Sequence, residues 1–122
     1  MESYEQQAKL FKVLMHPTRL AILDILRNGE ECVCHMEAAL GLRQAYISQQ
    51  LMVLREAGLI QDRRDGWNIF YRVMKPDIYP VMDAASVLVG GYQGSKWQLR
   101  LKNLHEKCEC PKCRSESIST MS

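Results

Sequence analysis

Apolar positions recur at helical spacing from the start of the chain. In "YEQQAKLFKVLM" (4–15), Tyr4, Ala8, Leu10, Phe11, Leu14 and Met15 approximate one stripe of a helix. "HP" at 16–17 interrupts that stripe. The proline pushes His16 towards an extended conformation, and Pro17 itself suits the first turn of a new helix. "PTRLAILDILRNG" then predicts a short buried helix through Leu20, Ile22, Leu23, Ile25 and Leu26, stopped near Asn28-Gly29. "ECVCHMEAALG" predicts a second short helix, with Val33, Met36 and Leu40 inward and Gly41 closing it. "QAYISQQLMVLREAG" predicts a longer one, with Ile47, Leu51, Val53 and Leu54 inward and Gly58 at its end. Two helices joined by a tight, glycine-containing turn fit a helix-turn-helix unit.

The period changes after Gly58. "LIQDRRDGWNIFYRV" places one candidate strand before Asp65-Gly66 and a β-branched and aromatic one after it, a strong hairpin signal. Residues 77–89 return to a helical pattern through Ile78, Val81, Met82, Ala85 and Leu88, and "GGYQG" at 90–94 breaks it. "SKWQLRLKNLHEKC" predicts another amphipathic helix, followed by the polar "CECPKCRSESISTMS". The expected fold is mainly α with a small β-hairpin. A domain over 1–107 and a Cys-rich flexible tail over 108–122 are the expected organisation.

Composition adds limits. The 122 residues, 47% hydrophobic and 25% charged, suit one folded domain rather than a disordered chain. No apolar run approaches the roughly 18 residues of a membrane span. The polar opening "MESYEQQAKL" lacks the pattern of a secretory signal, so a cytoplasmic protein is the expectation. The net charge of +2 is unevenly spread. From Arg43 to Lys75 six basic residues face three acidic ones, so this segment carries +3 and the remainder −1. Local positive charge of that kind suits a DNA-facing surface, and equally a solvated basic face.

The five cysteines are too many to ignore and odd in number, against complete intrachain pairing. In "EECVCHM", Cys32 and Cys34 stand where a helix is predicted to begin. On a regular helix positions i and i+2 point about 200° apart, so these thiols could share a ligand only if the backbone there were not helical.

With these segments in view, the chain resembles the ArsR/SmtB family of metal- and metalloid-responsive winged-helix repressors. The resemblance runs from about Leu10 to Val73 and rests on "LFKVLMHPTRLAILDIL", "ECVCHM", "QAYISQQLMVLREAGLI" and "RRDGWNIFYRV" taken together. It implies a winged helix-turn-helix in a homodimer, with two reading helices in successive major grooves of a palindromic double-stranded operator. Carried over by position, Arg43, Gln44, Ala45, Tyr46, Ser48 and Gln49 would face DNA. Their chemistry agrees, since Gln bonds adenine bidentately, an alanine methyl meets a thymine methyl, and hydroxyls bond bases or phosphates. Arg63, Arg64 and Arg72 around the hairpin would touch phosphates or a minor groove. The family's dimer interface uses its first and last helices, here the stripes with Phe11 and Leu14 and with Ile78, Val81, Met82 and Ala85. Either stripe could also be core.

The resemblance also gives the cysteines a role. In the arsenic- and cadmium-type members a "CVC" at the start of the first helix-turn-helix helix binds the inducer, and Cys32 and Cys34 match it. The third cysteine of the arsenic-type pattern falls on Glu37 here. Cys108, Cys110 and Cys113, from the same or the partner chain, are candidate further ligands. Thiolates select Zn(II), Cu(I), Cd(II) and Pb(II), and As(III) takes three sulfurs, so the expected inducer is a thiophilic ion of this kind, with no organic cofactor. Binding would unwind or tilt the first turn of that helix and misalign the reading helices. A coupling of about 1–3 kcal/mol is typical of such linkage. The alternative is a redox or reactive-sulfur repressor in which Cys110 and Cys113 pair; a structural zinc site or a bland tail also fits "CECPKC". His16 is read as a helix-boundary residue and His35 as a surface one. His105, Glu106 and Asp83 do not reproduce the family's zinc or nickel site. Phosphate-loop, "GxSxG" and "HExxH" motifs are missing, so neither catalysis nor a small-molecule substrate is expected.

Overall fold

A computed structural model describes residues 1–91 of the 122. The predicted amphipathic helix after Gly94, the 108–122 tail and the 107/108 boundary lie outside the described residues. The elements run α1 (Glu2–Leu14), α2 (Pro17–Ile25) with a 3-10 turn over Leu26–Asn28, β1 (Glu31–Cys32), α3 (Val33–Leu40), α4 (Gln44–Glu56), β2 (Ile60–Asp65), β3 (Asn68–Val73) and α5 (Ile78–Leu88). This is the mainly helical winged fold that the pattern predicts. Its three strands form one antiparallel sheet in the order β1-β3-β2.

Local chemistry sets the joints. His16 is extended and its ring nitrogen accepts a hydrogen bond from the Thr18 amide at 3.2 Å, capping α2, with Pro17 in the first helical position. Gly41 ends α3 in the left-handed region (φ 66°), where its amide reaches the Glu37 carbonyl. In the hairpin, Asp65 pairs with Asn68, so Gly66-Trp67 form the two-residue turn. Gly66 takes positive φ at the first central position, the II′ pattern that matches strand twist.

One core holds these elements together. Ile22, Leu23, Met36, Ile47, Leu51 and Leu54 are fully buried where α2, α3 and α4 meet. Burial of each such side chain is worth about 1.5–3 kcal/mol. Arg19 of α2 donates to the nearly buried Gln50 of α4 at 2.9 Å, adding a polar tie between the two helices. Tyr79 of α5 donates to the Leu23 carbonyl at 2.7 Å, and Arg27 forms a bidentate pair with Asp83 while lying over the Tyr79 ring. Asp83 is thus held by an arginine.

The structure departs from the pattern in three places. The helix predicted from Glu31 starts at Val33, because Glu31 and Cys32 are extended and pair with Tyr71 and Phe70 of β3. Leu20, expected inside, is exposed beside α1 and α5. His35, read as a surface residue, is 2% exposed.

Candidate nucleic-acid interface and cysteine site

The residues carried over for DNA reading on the helix-turn-helix lie together at the start of α4. Arg43 precedes α4 as its N-cap, and Gln44, Ala45, Tyr46, Ser48 and Gln49 lie exposed along the first turns. Ile47 and Gln50 point inward and anchor that face. Tyr46 is also tied back, its hydroxyl hydrogen-bonding with Nε2 of His16 at 3.2 Å. Helix α4 is therefore pinned to the start of α2 from its exposed side as well as through the core.

The three wing arginines are not equivalent. Arg63 binds both carboxylate oxygens of Glu30, at 2.6 and 3.1 Å, and its guanidinium lies 4.8 Å from the centre of the Phe70 ring. The Glu30 hydrogen bond raises its pKa, so it stays a cation committed to protein partners. Arg72 donates to the Gln61 side chain at 3.1 Å. Arg64 has no ion pair among the described residues and projects from the wing as an uncommitted cation. Trp67, at the turn, is fully exposed. Sequence reasoning passed over Trp67, although an aromatic beside Gly66 in a hairpin turn is a visible signal.

Cys32 and Cys34 sit at the joint between the wing and the helix-turn-helix. Cys32 is the last residue of β1 and the N-cap of α3, with extended backbone (φ −86°, ψ 158°), and Cys34 lies in the first turn of α3. The regular-helix argument about opposed thiols therefore does not apply, and no turn has to unwind for them to meet. Their Cα atoms are 5.4 Å apart and the sulfurs are joined as a disulfide. Cys32 is buried at 1% exposure, whereas Cys34 is exposed.

The sheet register connects this site to the wing. Cys32 stands opposite Phe70, and Phe70 opposite Arg63, so the three occupy one row across β1, β3 and β2. Residues directly opposed on an antiparallel sheet share a face and touch. A small cavity of about 130 Å³ beside the sulfurs is lined by Glu37, Gln44, Trp67 and Asn68, among others. The cysteines thus border both the start of α4 and the wing tip.

Two residues that the sequence did not single out as site residues lie nearby. A ring nitrogen of His35 and both sulfurs lie within 4.8 Å of one another. The other newcomer is Glu31, whose carboxylate is 2.9 Å from Nδ1 of His35, with both side chains buried. Their i,i+4 spacing was legible, but only the fold shows that both are buried and that His35 lies near the sulfurs. Cys108, Cys110 and Cys113 lie outside the described residues.

A second feature lies on the far side. Phe11, Met15, Leu20, Val81 and Ala85 are exposed around an open apolar groove of about 620 Å³ between α1 and α5. Among the described residues no helix is long and apolar enough to cross a membrane.

Comparisons with known proteins agree with this architecture. Residues 16–62 match the arsR family of bacterial regulatory proteins. The chain is 39% identical over 108 residues to an arsenic resistance transcriptional regulator of Pseudomonas putida, covering 84% of this chain and 82% of that one. It superposes on the transcriptional repressor BigR of Xylella fastidiosa with a TM-score of 0.66 at 36% identity, covering 71% of this chain and 89% of that one. It also superposes on a homodimeric winged helix-turn-helix DNA-binding domain of Mycobacterium bovis, with a TM-score of 0.63 at 30% identity over 73% and 82% of the two chains. The helix-turn-helix, the wing and these similarities together identify the chain as a member of the ArsR family of DNA-binding transcriptional repressors.

Proposed function

We propose that the chain acts as a homodimer on a palindromic operator and releases it when the chemical state of Cys32 and Cys34 changes. The observation that carries this is their position, one on the wing sheet and one on the helix that supports α4. Whatever sets the spacing of the two sulfurs also sets how the wing meets the helix-turn-helix. For the dimer, the support is the exposed apolar groove between α1 and α5 and the homodimeric relative.

The inducer we assign is a thiophilic metal or metalloid ion. Two thiols within reach of each other, one of them exposed, suit such an ion, and binding requires the reduced, deprotonated pair. In a tetrahedral site with bonds of about 2.3 Å the sulfurs would stand about 3.8 Å apart, so an ion spreads the joint relative to the bonded pair. An arsenite site with three sulfurs needs a cysteine from 108–113. The disulfide itself favours a second reading, in which oxidation of Cys32 and Cys34, rather than the tail pair, is the signal. Two thiols then lose two electrons and two protons to a disulfide or persulfide oxidant. The two signals are exclusive, because the oxidised pair has no thiolate to offer.

The test is fluorescence anisotropy of the reduced protein on its own promoter DNA. Arsenite, Cd(II), Pb(II), Zn(II) and a disulfide oxidant are titrated separately, with Cys32→Ser/Cys34→Ser and a chain ending at residue 107 in parallel. Release by an ion, lost in the double variant, is the expected result. Release by the oxidant alone establishes the second reading, and release unaffected by the double variant overturns both.

A further inference from the structure

Resting on the proposed operator binding, with α4 set against DNA, we propose that His16 is a positioning residue for recognition. Its ring fixes the Tyr46 hydroxyl as a hydrogen-bond donor to an acceptor on the operator: a phosphate oxygen, or a carbonyl oxygen or ring nitrogen on a base edge.

Where one proton sits decides the matter. A backbone amide can only donate, and the Thr18 amide donates to Nδ1 of His16 at 3.2 Å. Nδ1 therefore presents a lone pair. A neutral imidazole with an unprotonated Nδ1 carries its hydrogen on Nε2. Nε2 lies 3.2 Å from the Tyr46 hydroxyl, so the ring donates and the hydroxyl oxygen accepts. The cap of α2 thus dictates the direction of a hydrogen bond on the surface of α4, 30 positions further along the chain.

A phenol has one hydrogen to give. With the oxygen accepting from His16, that hydrogen has no acceptor among the described residues. Tyr46 is 36% exposed, and Ala45 and Gln49 beside it on α4 are exposed as well. The O–H is left for a group from outside this fold. One helical turn further on, Arg19 of α2 binds Gln50 at 2.9 Å and the Val13 carbonyl at 3.1 Å. Helix α2 therefore holds α4 by two polar ties, and the His16 tie is the outer one.

DNA offers what such a donor needs. Phosphate oxygens only accept, as do O6 and N7 of guanine, N7 of adenine and O4 of thymine in the major groove. The amino groups of adenine and cytosine donate, and a hydroxyl already accepting from a ring nitrogen matches them poorly. His16 contributes preorganisation, because the hydroxyl does not have to turn when DNA arrives.

The experiment uses the reduced full chain on its own promoter DNA and on a scrambled duplex of equal length. His16→Asn keeps a cap acceptor for the Thr18 amide but has no Nε2 hydrogen for Tyr46. Its thermal stability should stay close to wild type while operator affinity falls about 3–10-fold, the worth of one hydrogen bond. Tyr46→Phe should cost at least as much with an unchanged salt slope, since no charge is removed. The double variant should bind no worse than Tyr46→Phe alone. An equal loss on both duplexes identifies a phosphate partner, and a loss confined to the operator identifies a base edge. Nitrogen NMR of the unsubstituted protein reads the tautomer directly, with Nε2 protonated and Nδ1 bare as the expected result. The opposite tautomer overturns the proposal. So does wild-type affinity in either single variant, or a His16→Asn loss that persists in full without the Tyr46 hydroxyl. Failure of the underlying reading looks different: Gln44→Ala as well as Tyr46→Phe would then bind every duplex as wild type does.

Discussion

The two exposed faces of the molecule share one core yet present opposite chemistry. The face made by α4 and the wing shows Gln44, Ser48, Gln49, Arg43 and Arg64 to solvent. The face made by α1 and α5 shows Phe11 (55% exposed), Met15, Val81, Val87 and Leu88. A polar helix face is content in water, but a cluster of large apolar side chains is a surface awaiting a partner. In the proposed dimer the first face would meet DNA and the second the partner chain, so the affinity of one would depend on the other. The cysteine site belongs to the first face.

The comparison breaks most completely if the assembling face is made polar. Phe11→Glu should yield monomers by sedimentation, with operator affinity reduced by about 10²–10⁴-fold, the avidity lost when two linked sites become one. Full operator affinity in a monomeric variant would show that the α1/α5 face has no part in recognition. A smaller effect is expected on the reading face, where two changes should separate. Gln44→Ala should cost about 1–3 kcal/mol of discrimination between operator and altered sites. Arg64→Ala should weaken all duplexes alike and lower the salt slope by about 1. Arg63→Ala should leave the slope nearer to that of the wild type, since its charge is spent on Glu30. Equal slopes for the two arginine variants would erase the distinction between them.

The smallest effect concerns how α5 is held to the core. Burial pushes the Tyr79 pKa up to about 12. The folded protein then keeps a proton that the unfolded chain loses near pH 10, so this group's stabilisation is complete below pH 10 and fades through pH 12. Tyr79→Phe should therefore be less stable than wild type by about 0.5–1.5 kcal/mol at pH 8, the value of a lost hydrogen bond. That gap should close as pH rises above 10. Urea unfolding of both proteins across this range gives the answer, and a constant gap would mean that Tyr79 does not titrate in the way its burial dictates.

Much of the fold was legible because it rests on local rules. The Pro17 start, the Gly41 stop, the change of period after Gly58 and the Asp65-Gly66 signal each place an element within a residue or two. The exposed positions of α4 followed from the same helical period, which puts Ile47, Leu51 and Leu54 inside and Gln44, Ser48 and Gln49 out. The Cys32 and Cys34 pair stood out by spacing alone.

What the sequence could not supply was pairing between distant segments. Glu31 and Cys32 read as helix because their neighbours do, but β3 lies alongside and takes their backbone hydrogen bonds. That strand partner comes from nearly forty positions later in the chain, beyond the reach of any local period. From it follow the extended Cys32, the meeting of the thiols and the row that joins them to Phe70 and Arg63. Burial of His35 and Glu31 was likewise decided in three dimensions, since a polar residue in a short helix announces nothing about what packs over it. The sequence by itself determined every described element but β1, the exposed face of α4 and the closely spaced cysteine pair, through spacing and side-chain chemistry. The tertiary structure alone decided which arginine is uncommitted and which groups surround the sulfurs, because those depend on contacts between segments far apart in the chain.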